Sequence, residues 1–204
     1  MPLNFINQPP ANGKPPQHLL IALHGWGADQ QDLTVLAPML QLGEDYQFVF
    51  PNAPFDHPQV PGGRAWYALE RSDPEGLETS HQLLRQLVLG LVAETQVPLS
   101  QTILLGFSQG GAMTLDVGNQ LPLKALCCLS GYPHSPLQIT ANTPPPVLLV
   151  HGRHDPVVPL SEAQRAKQEL EALGSAVNYH ELAMGHEIPT EAIALTRQFI
   201  QGLG

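Results

Sequence analysis

Basic residues are scarce in this chain: nine Lys and Arg stand against eighteen Asp and Glu in 204 residues, a formal net charge of -9. That balance argues against a nucleic-acid partner and against electrostatic docking on an anionic membrane. Cysteine is scarcer still. The two present, Cys127 and Cys128, are adjacent in an apolar run. Neighbours on a strand point to opposite faces, so both read as buried thiols rather than a disulfide or redox pair. No uninterrupted apolar segment approaches the roughly 20 residues that span a bilayer. The start lacks the basic-then-apolar pattern of a secretory signal. These absences point to a reducing compartment, the cytoplasm, with no stable membrane insertion. The length suits one domain over residues 1–204, with neither repeat nor second-domain linker. Oligomeric state leaves no mark in the sequence.

What is present alternates between strand and helix signals. Leu19–His24, Tyr46–Phe50, Thr102–Phe107, Leu123–Leu129, Val147–Val150 and Val177–Leu182 read as strands, several of them near-continuous apolar runs. Helical spacing appears over Gln31–Leu42, capped by Asp29 or Asp32, and over Glu78–Ala93, Leu160–Leu173 (ended by Gly174) and Thr190–Ile200. Leu3–Asn7 suits an antiparallel edge strand. The alternation predicts a mostly parallel central sheet with helices on both faces, whose site lies beyond the carboxyl ends of the strands.

Those strand ends carry the chemistry. Gly106-Phe107-Ser108-Gln109-Gly110 follows a strand-prone run and precedes a helix-compatible one, as a nucleophile elbow requires. Such a turn lifts the serine out of the sheet, and a Cβ at either glycine would collide with the elements crossing there. Asp155 falls just past Val147–Val150, and His186 just past Val177–Leu182. A serine becomes a useful nucleophile when a base takes its proton and a carboxylate fixes that base. Ser108, Asp155 and His186 are the candidates, in the order nucleophile, acid, base. The glycine-rich loop His24-Gly25-Trp26-Gly27 and the amide after the serine offer the backbone N–H groups of Trp26 and Gln109 to an oxyanion.

Together these segments resemble the phospholipase/carboxylesterase family of α/β-hydrolases. The likeness runs from LHGWG at Leu23–Gly27 through PNAP at Pro51–Pro54, GFSQGG at Gly106–Gly111 and HGRHDPVVP at His151–Pro159 to GHEI at Gly185–Ile188. The resemblance implies an α/β-hydrolase fold without a separate lid domain, the catalytic set Ser108, Asp155 and His186, and oxyanion amides at Trp26 and Gln109. Two departures bear on substrate. Trp26 stands where relatives often have a small aliphatic residue, and Trp66-Tyr67-Ala68 lacks the acid of the family's Trp-(Phe/Tyr)-Asp segment. The long connection Pro51–Gly76 brings Phe55, Trp66 and Tyr67 as a candidate acyl wall, with Trp26 and Val157 completing the pocket.

The expected activity is hydrolysis of carboxylic esters, short-chain soluble ones, through an acyl-enzyme with no metal and no organic cofactor. The substrate is a small ester or thioester. The alternatives are an acyl-protein thioesterase or lysophospholipase and, from another class, a catalytically silent binding protein of the same fold. His154, beside Asp155, is the second choice of base, and His151 with it hints only weakly at a metal cluster. His24 is expected to order its loop, His180 to be half-buried in a strand, and Asp116 to lie on a solvated helix face.

Overall fold

The computed structural model describes residues 2–69, 73–134, 136–141 and 143–203. A seven-stranded sheet runs in the order β1 (Phe5–Gln8), β3 (Tyr46–Pro51), β2 (His18–Leu23), β6 (Thr102–Phe107), β7 (Ala125–Leu129), β8 (Val147–Gly152) and β9 (Val177–Leu182). Only the edge strand β1 is antiparallel; the other pairings are parallel. A small antiparallel pair, β4 (Phe55–Asp56) and β5 (Arg64–Ala65), lies outside this sheet. The described residues also form the α-helices α1 (Leu36–Leu40), α2 (Pro74–Thr95), α3 (Gln109–Gly118), α4 (Leu160–Ala172) and α5 (Thr190–Gln201). Among the described residues no helix is long and apolar enough to cross a membrane.

The two faces of the sheet bury alternate residues of each strand. From β2, Leu19, Ile21 and Leu23 join a core with Leu84 of α2, Met113 of α3 and Ala166 of α4. Leu20 and Ala22 join the opposite core with Leu36 of α1 and Ile193 of α5. Cys128 belongs to the first and Cys127 to the second, as period-two geometry requires. Both thiols are free, and burial pushes them up, Cys128 to about 12. They act as small apolar side chains.

Two helices depart from the expected bounds. Gln31–Leu42 yields only Leu36–Leu40. Its first half is a string of tight turns, with Thr34 N–H on Gln31 O, Leu36 N–H on Leu33 O and Ala37 N–H on Thr34 O. Pro38 has no N–H for the Thr34 carbonyl, so the three-residue bond wins there. Asp29 does accept the Gln31 N–H at 2.7 Å, capping a turn instead of a helix. Conversely α2 starts four residues before Glu78. Asp73 accepts the Gly76 N–H and Pro74 occupies the first turn, a start signal hidden inside the long loop.

Strand order reverses between β2 and β6, so the crevice beyond their carboxyl ends is the topological switch point. There β6 turns into α3 through Ser108, at φ 55° and ψ -118°. Such a backbone costs about 1–3 kcal/mol and persists only where neighbours dictate it. Here the Ser108 N–H bonds Leu129 O at 2.9 Å, and close backbone packing does the rest. A Cβ on Gly106 would sit 2.0 Å from Gly110 O, and one on Gly110 would sit 2.2 Å from Leu23 O.

Gly110→Ala is therefore expected to destabilise by about 3 kcal/mol or more, lowering Tm by about 6–12 °C. Gly90, exposed in α2 with nothing within 4 Å of its missing Cβ, is the control. Gly90→Ala should stabilise by about 0.5–1 kcal/mol. Calorimetry of the two variants checks the contrast, and equal small effects would contradict it.

Candidate active site

Ser108, His186 and Asp155 come from three separate strand ends, and the fold brings them into one chain of hydrogen bonds. His186 Nε2 lies 2.9 Å from Ser108 Oγ, and its Nδ1 lies 2.7 Å from Asp155 Oδ2. The other carboxylate oxygen accepts the N–H groups of Val157 at 2.8 Å and Val158 at 2.9 Å. Burial alone would push the Asp155 carboxyl up. The bonds from His186, Val158 and Val157 outweigh it and hold the group below the usual carboxylate range. An ionised carboxylate only accepts, so Nδ1 carries the imidazole proton and Nε2 offers its lone pair to the hydroxyl. The arrangement can take a proton from Ser108 as its oxygen attacks, and can hold the resulting imidazolium.

His154 stays outside this chain. It is exposed, and its backbone N–H bonds Met184 O. His180 is partly buried in β9. His151 has a structural part that sequence reasoning did not assign. It is 1% exposed at the end of β8, donates from Nε2 to Val158 O at 2.9 Å and stands 3.6 Å from Asp155 Oδ2. The ring braces the turn that presents Asp155. Its signal was a histidine directly following a buried strand.

The loop at the end of β2 lies against the serine, since a Cβ on Gly25 would meet Ser108 Cβ at 3.4 Å and the Phe107 ring at 3.3 Å. His24 fixes it. Ala53 N–H donates to His24 Nε2 at 3.1 Å, so Nδ1 carries the proton and donates to Gly25 O at 2.7 Å. Burial lowers the pKa of this imidazole, which suits a neutral brace. The Gly27 N–H bonds Arg64 O at 2.9 Å, clamping the loop to β5. The N–H groups of Trp26 and Gln109 make no hydrogen bond among the described residues. Gln109 is also the first residue of α3, where the helix dipole favours negative charge.

The expected acyl wall is placed unevenly. Trp66 is fully buried, so its indole lines no open wall. It donates from Nε1 to His24 O at 3.0 Å, and its backbone N–H donates to Gln109 Oε1. Gln109 Nε2 in turn donates to Tyr67 O at 2.9 Å, and the Tyr67 hydroxyl pairs with that of Tyr132. Thus Trp66 and Tyr67 support the elbow from beneath. Trp26 is half-buried with its ring centroid 4.1 Å from that of His57, while Phe55 and Val157 are exposed. Phe55 lines a cavity of about 840 Å³ with Pro58, Ala68, Glu75 and Thr79. Within the long connection Pro51–Gly76, residues 70–72 lie outside the described residues.

The comparisons with known proteins agree with this architecture. Acyl-protein thioesterase 1 of Eremothecium gossypii is 30% identical over 214 residues, covering 94% of this chain and 90% of its own. Its Saccharomyces cerevisiae counterpart is 32% identical over 177 residues, covering 76% and 78%. Among solved structures, esterase PE8 superposes with a TM-score of 0.92 at 34% identity over the whole of both chains. The Bacillus cereus carboxylesterase shares the fold at a TM-score of 0.84, with 18% identity over 99% of this chain and 95% of its own. The family model described as Phospholipase/Carboxylesterase matches residues 8–203, and the chain belongs to that family.

Proposed function

We propose that the chain is a single-domain serine hydrolase that cleaves carboxylic esters through an acyl-enzyme, with Ser108 as nucleophile, His186 as base and Asp155 as the acid that holds it. The observation that carries this reading is the 2.9 Å contact between Ser108 Oγ and His186 Nε2, at a strained elbow near two backbone N–H groups that have no partner among the described residues. Ser108 Oγ attacks the acyl carbon as His186 takes the hydroxyl proton. The amides of Trp26 and Gln109 receive the oxyanion. His186 then protonates the leaving group, and in the second half it takes a proton from the water that frees the acid.

Short acyl chains suit the site best. Trp66 and Tyr67, the aromatic mass from which a long slot would be built, are packed under the elbow, and Trp26 fills space beside the oxyanion loop. The second reading, a thioesterase acting on acylated proteins, draws support from the curated relatives named acyl-protein thioesterase 1. Each buried methylene is worth about 0.8 kcal/mol, so an open slot would favour longer chains by about fourfold in kcat/KM per carbon. The rate is expected to peak at roughly two to eight carbons and then fall. Trp26→Leu should move the peak to longer chains while preserving catalysis, because the oxyanion contact comes from the backbone. A panel of aryl esters and acyl thioesters measures this, and preference of the wild type for palmitoyl over butyryl would favour the thioesterase reading.

Ser108→Ala should lose activity by several orders of magnitude without loss of fold, and His186→Ala should match it. His154→Ala and His180→Ala should remain largely active. If His154→Ala were the lethal change and His186→Ala mild, the base would be misassigned.

Asp155, depressed in the folded state, contributes stability that is present above the ordinary carboxylate value of about 3.9 and is lost as pH falls through its lower folded value. Asp155→Asn should therefore lose more Tm near neutral pH than in acid, where the wild type forfeits the same contribution. Calorimetry of both proteins across acid pH checks this, and a Tm difference independent of pH would contradict it.

A further inference from the structure

A second carboxylate is flanked by imidazoles on the other side of α3. Asp116, expected on a solvated face, has a side chain only 7% exposed, enclosed between α2 and the segment after β7. Its Oδ2 lies 2.9 Å from His81 Nε2 and 2.6 Å from His134 Nδ1. Bonds from the two histidines overcome the burial that would push the carboxyl up, and hold it below its usual range. Asp116 lies eight residues beyond Ser108 in the sequence, about 12 Å along the helix axis, and among the described residues no nucleophile is hydrogen-bonded to this group. The proposed hydrolysis leaves it without a role.

We propose that His81, Asp116 and His134 form a binding site for a divalent transition-metal ion of the zinc class. Three observations carry the assignment. One nitrogen of each imidazole and one carboxylate oxygen converge within 4.8 Å of one another, the sole such group found among the described residues. Two imidazoles with one carboxylate are the donor set that suits borderline ions such as Zn²⁺, and they leave a fourth position for water. A surface pocket of about 240 Å³ lined by Glu78, Gln120, Pro136 and the three ligands gives a hydrated ion an approach. Glu78, one turn before His81, places Oε2 4.0 Å from His81 Nδ1, the nitrogen that faces away from the ion.

The proton balance is simple. In the ion-free cluster each neutral imidazole donates an N–H to Asp116 Oδ2. On binding, the proton moves to the other ring nitrogen, which for His81 faces Glu78, and the freed lone pair takes the metal. Donor atoms around a tetrahedral ion with bonds near 2.0–2.1 Å are about 3.3 Å apart. His81 Nε2 therefore backs off the oxygen by about 0.4 Å and His134 Nδ1 by about 0.7 Å. The ion would tie α2, α3 and the segment after β7 together.

The test is calorimetric titration of chelator-treated, refolding-competent protein with ZnCl₂, alongside melting curves. One ion per chain is expected, with a Tm rise of about 5–10 °C at a hundredfold excess over Kd. His81→Ala and His134→Ala should weaken binding by about 10–100-fold or more, while His186→Ala binds as the wild type does. Because either variant could fail to fold, a wild-type readout stands beside them. Imidazole ¹⁵N spectra should show Zn²⁺ shifting His81 Nε2 and His134 Nδ1. No saturable binding up to about millimolar Zn²⁺ would overturn the proposal. So would binding that leaves both variants and both nitrogen signals unchanged.

Discussion

Everything at the switch point depends on how closely three pieces of backbone approach one another. The last turn of β6, the first turn of α3 and the end of β2 meet where Gly106 and Gly110 stand, and neither position has room for a Cβ. That approach forces Ser108 to positive φ and aims its hydroxyl out beyond the sheet. It also sets the start of α3 against the loop that follows Leu23, where the N–H groups of Trp26 and Gln109 have no hydrogen-bond partner among the described residues. A sheet with its helices spaced by ordinary side chains would place the same serine in a plain turn.

Two carboxylates in this molecule are held ionised by imidazoles, and their surroundings separate what they can do. Asp155 spends one oxygen on two backbone N–H groups and the other on His186, whose far nitrogen meets a hydroxyl. This chain runs one way, from carboxylate to imidazole to hydroxyl. Asp116 has imidazoles on one oxygen from two directions and, among the described residues, no hydroxyl bonded to either. The first geometry suits the transfer of a proton, whereas the second suits donor atoms gathered around a point.

The parallel strands were legible because each is a dense apolar run whose alternate residues must serve two cores; β6 and β9 fall on the expected bounds. The residues expected to carry the chemistry were legible through topology, since a parallel sheet puts its loops on one edge. Side-chain environment was harder to read. Asp116 looked solvated because α3 reads as an amphipathic segment, yet every residue of that helix is buried between the sheet and α2. Trp66 looked like a pocket wall because loops are usually exposed, but its indole fills the core beneath His24. Gln31–Leu42 had helical spacing, and Pro38 with the Asp29 turn defeated it. In each case a tertiary neighbour decided, and spacing along the chain carries no record of that neighbour.

The central claim is that the acyl group passes through Ser108. Rapid-quench intact-mass spectrometry with an aryl butyrate, followed by peptide mapping, tests it most directly. The account predicts a transient adduct of one butyryl group per chain, on the peptide containing Ser108 and absent from Ser108→Ala. Turnover of the ester by wild-type protein with the adduct on another residue, or with an undiminished rate in Ser108→Ala, would contradict it.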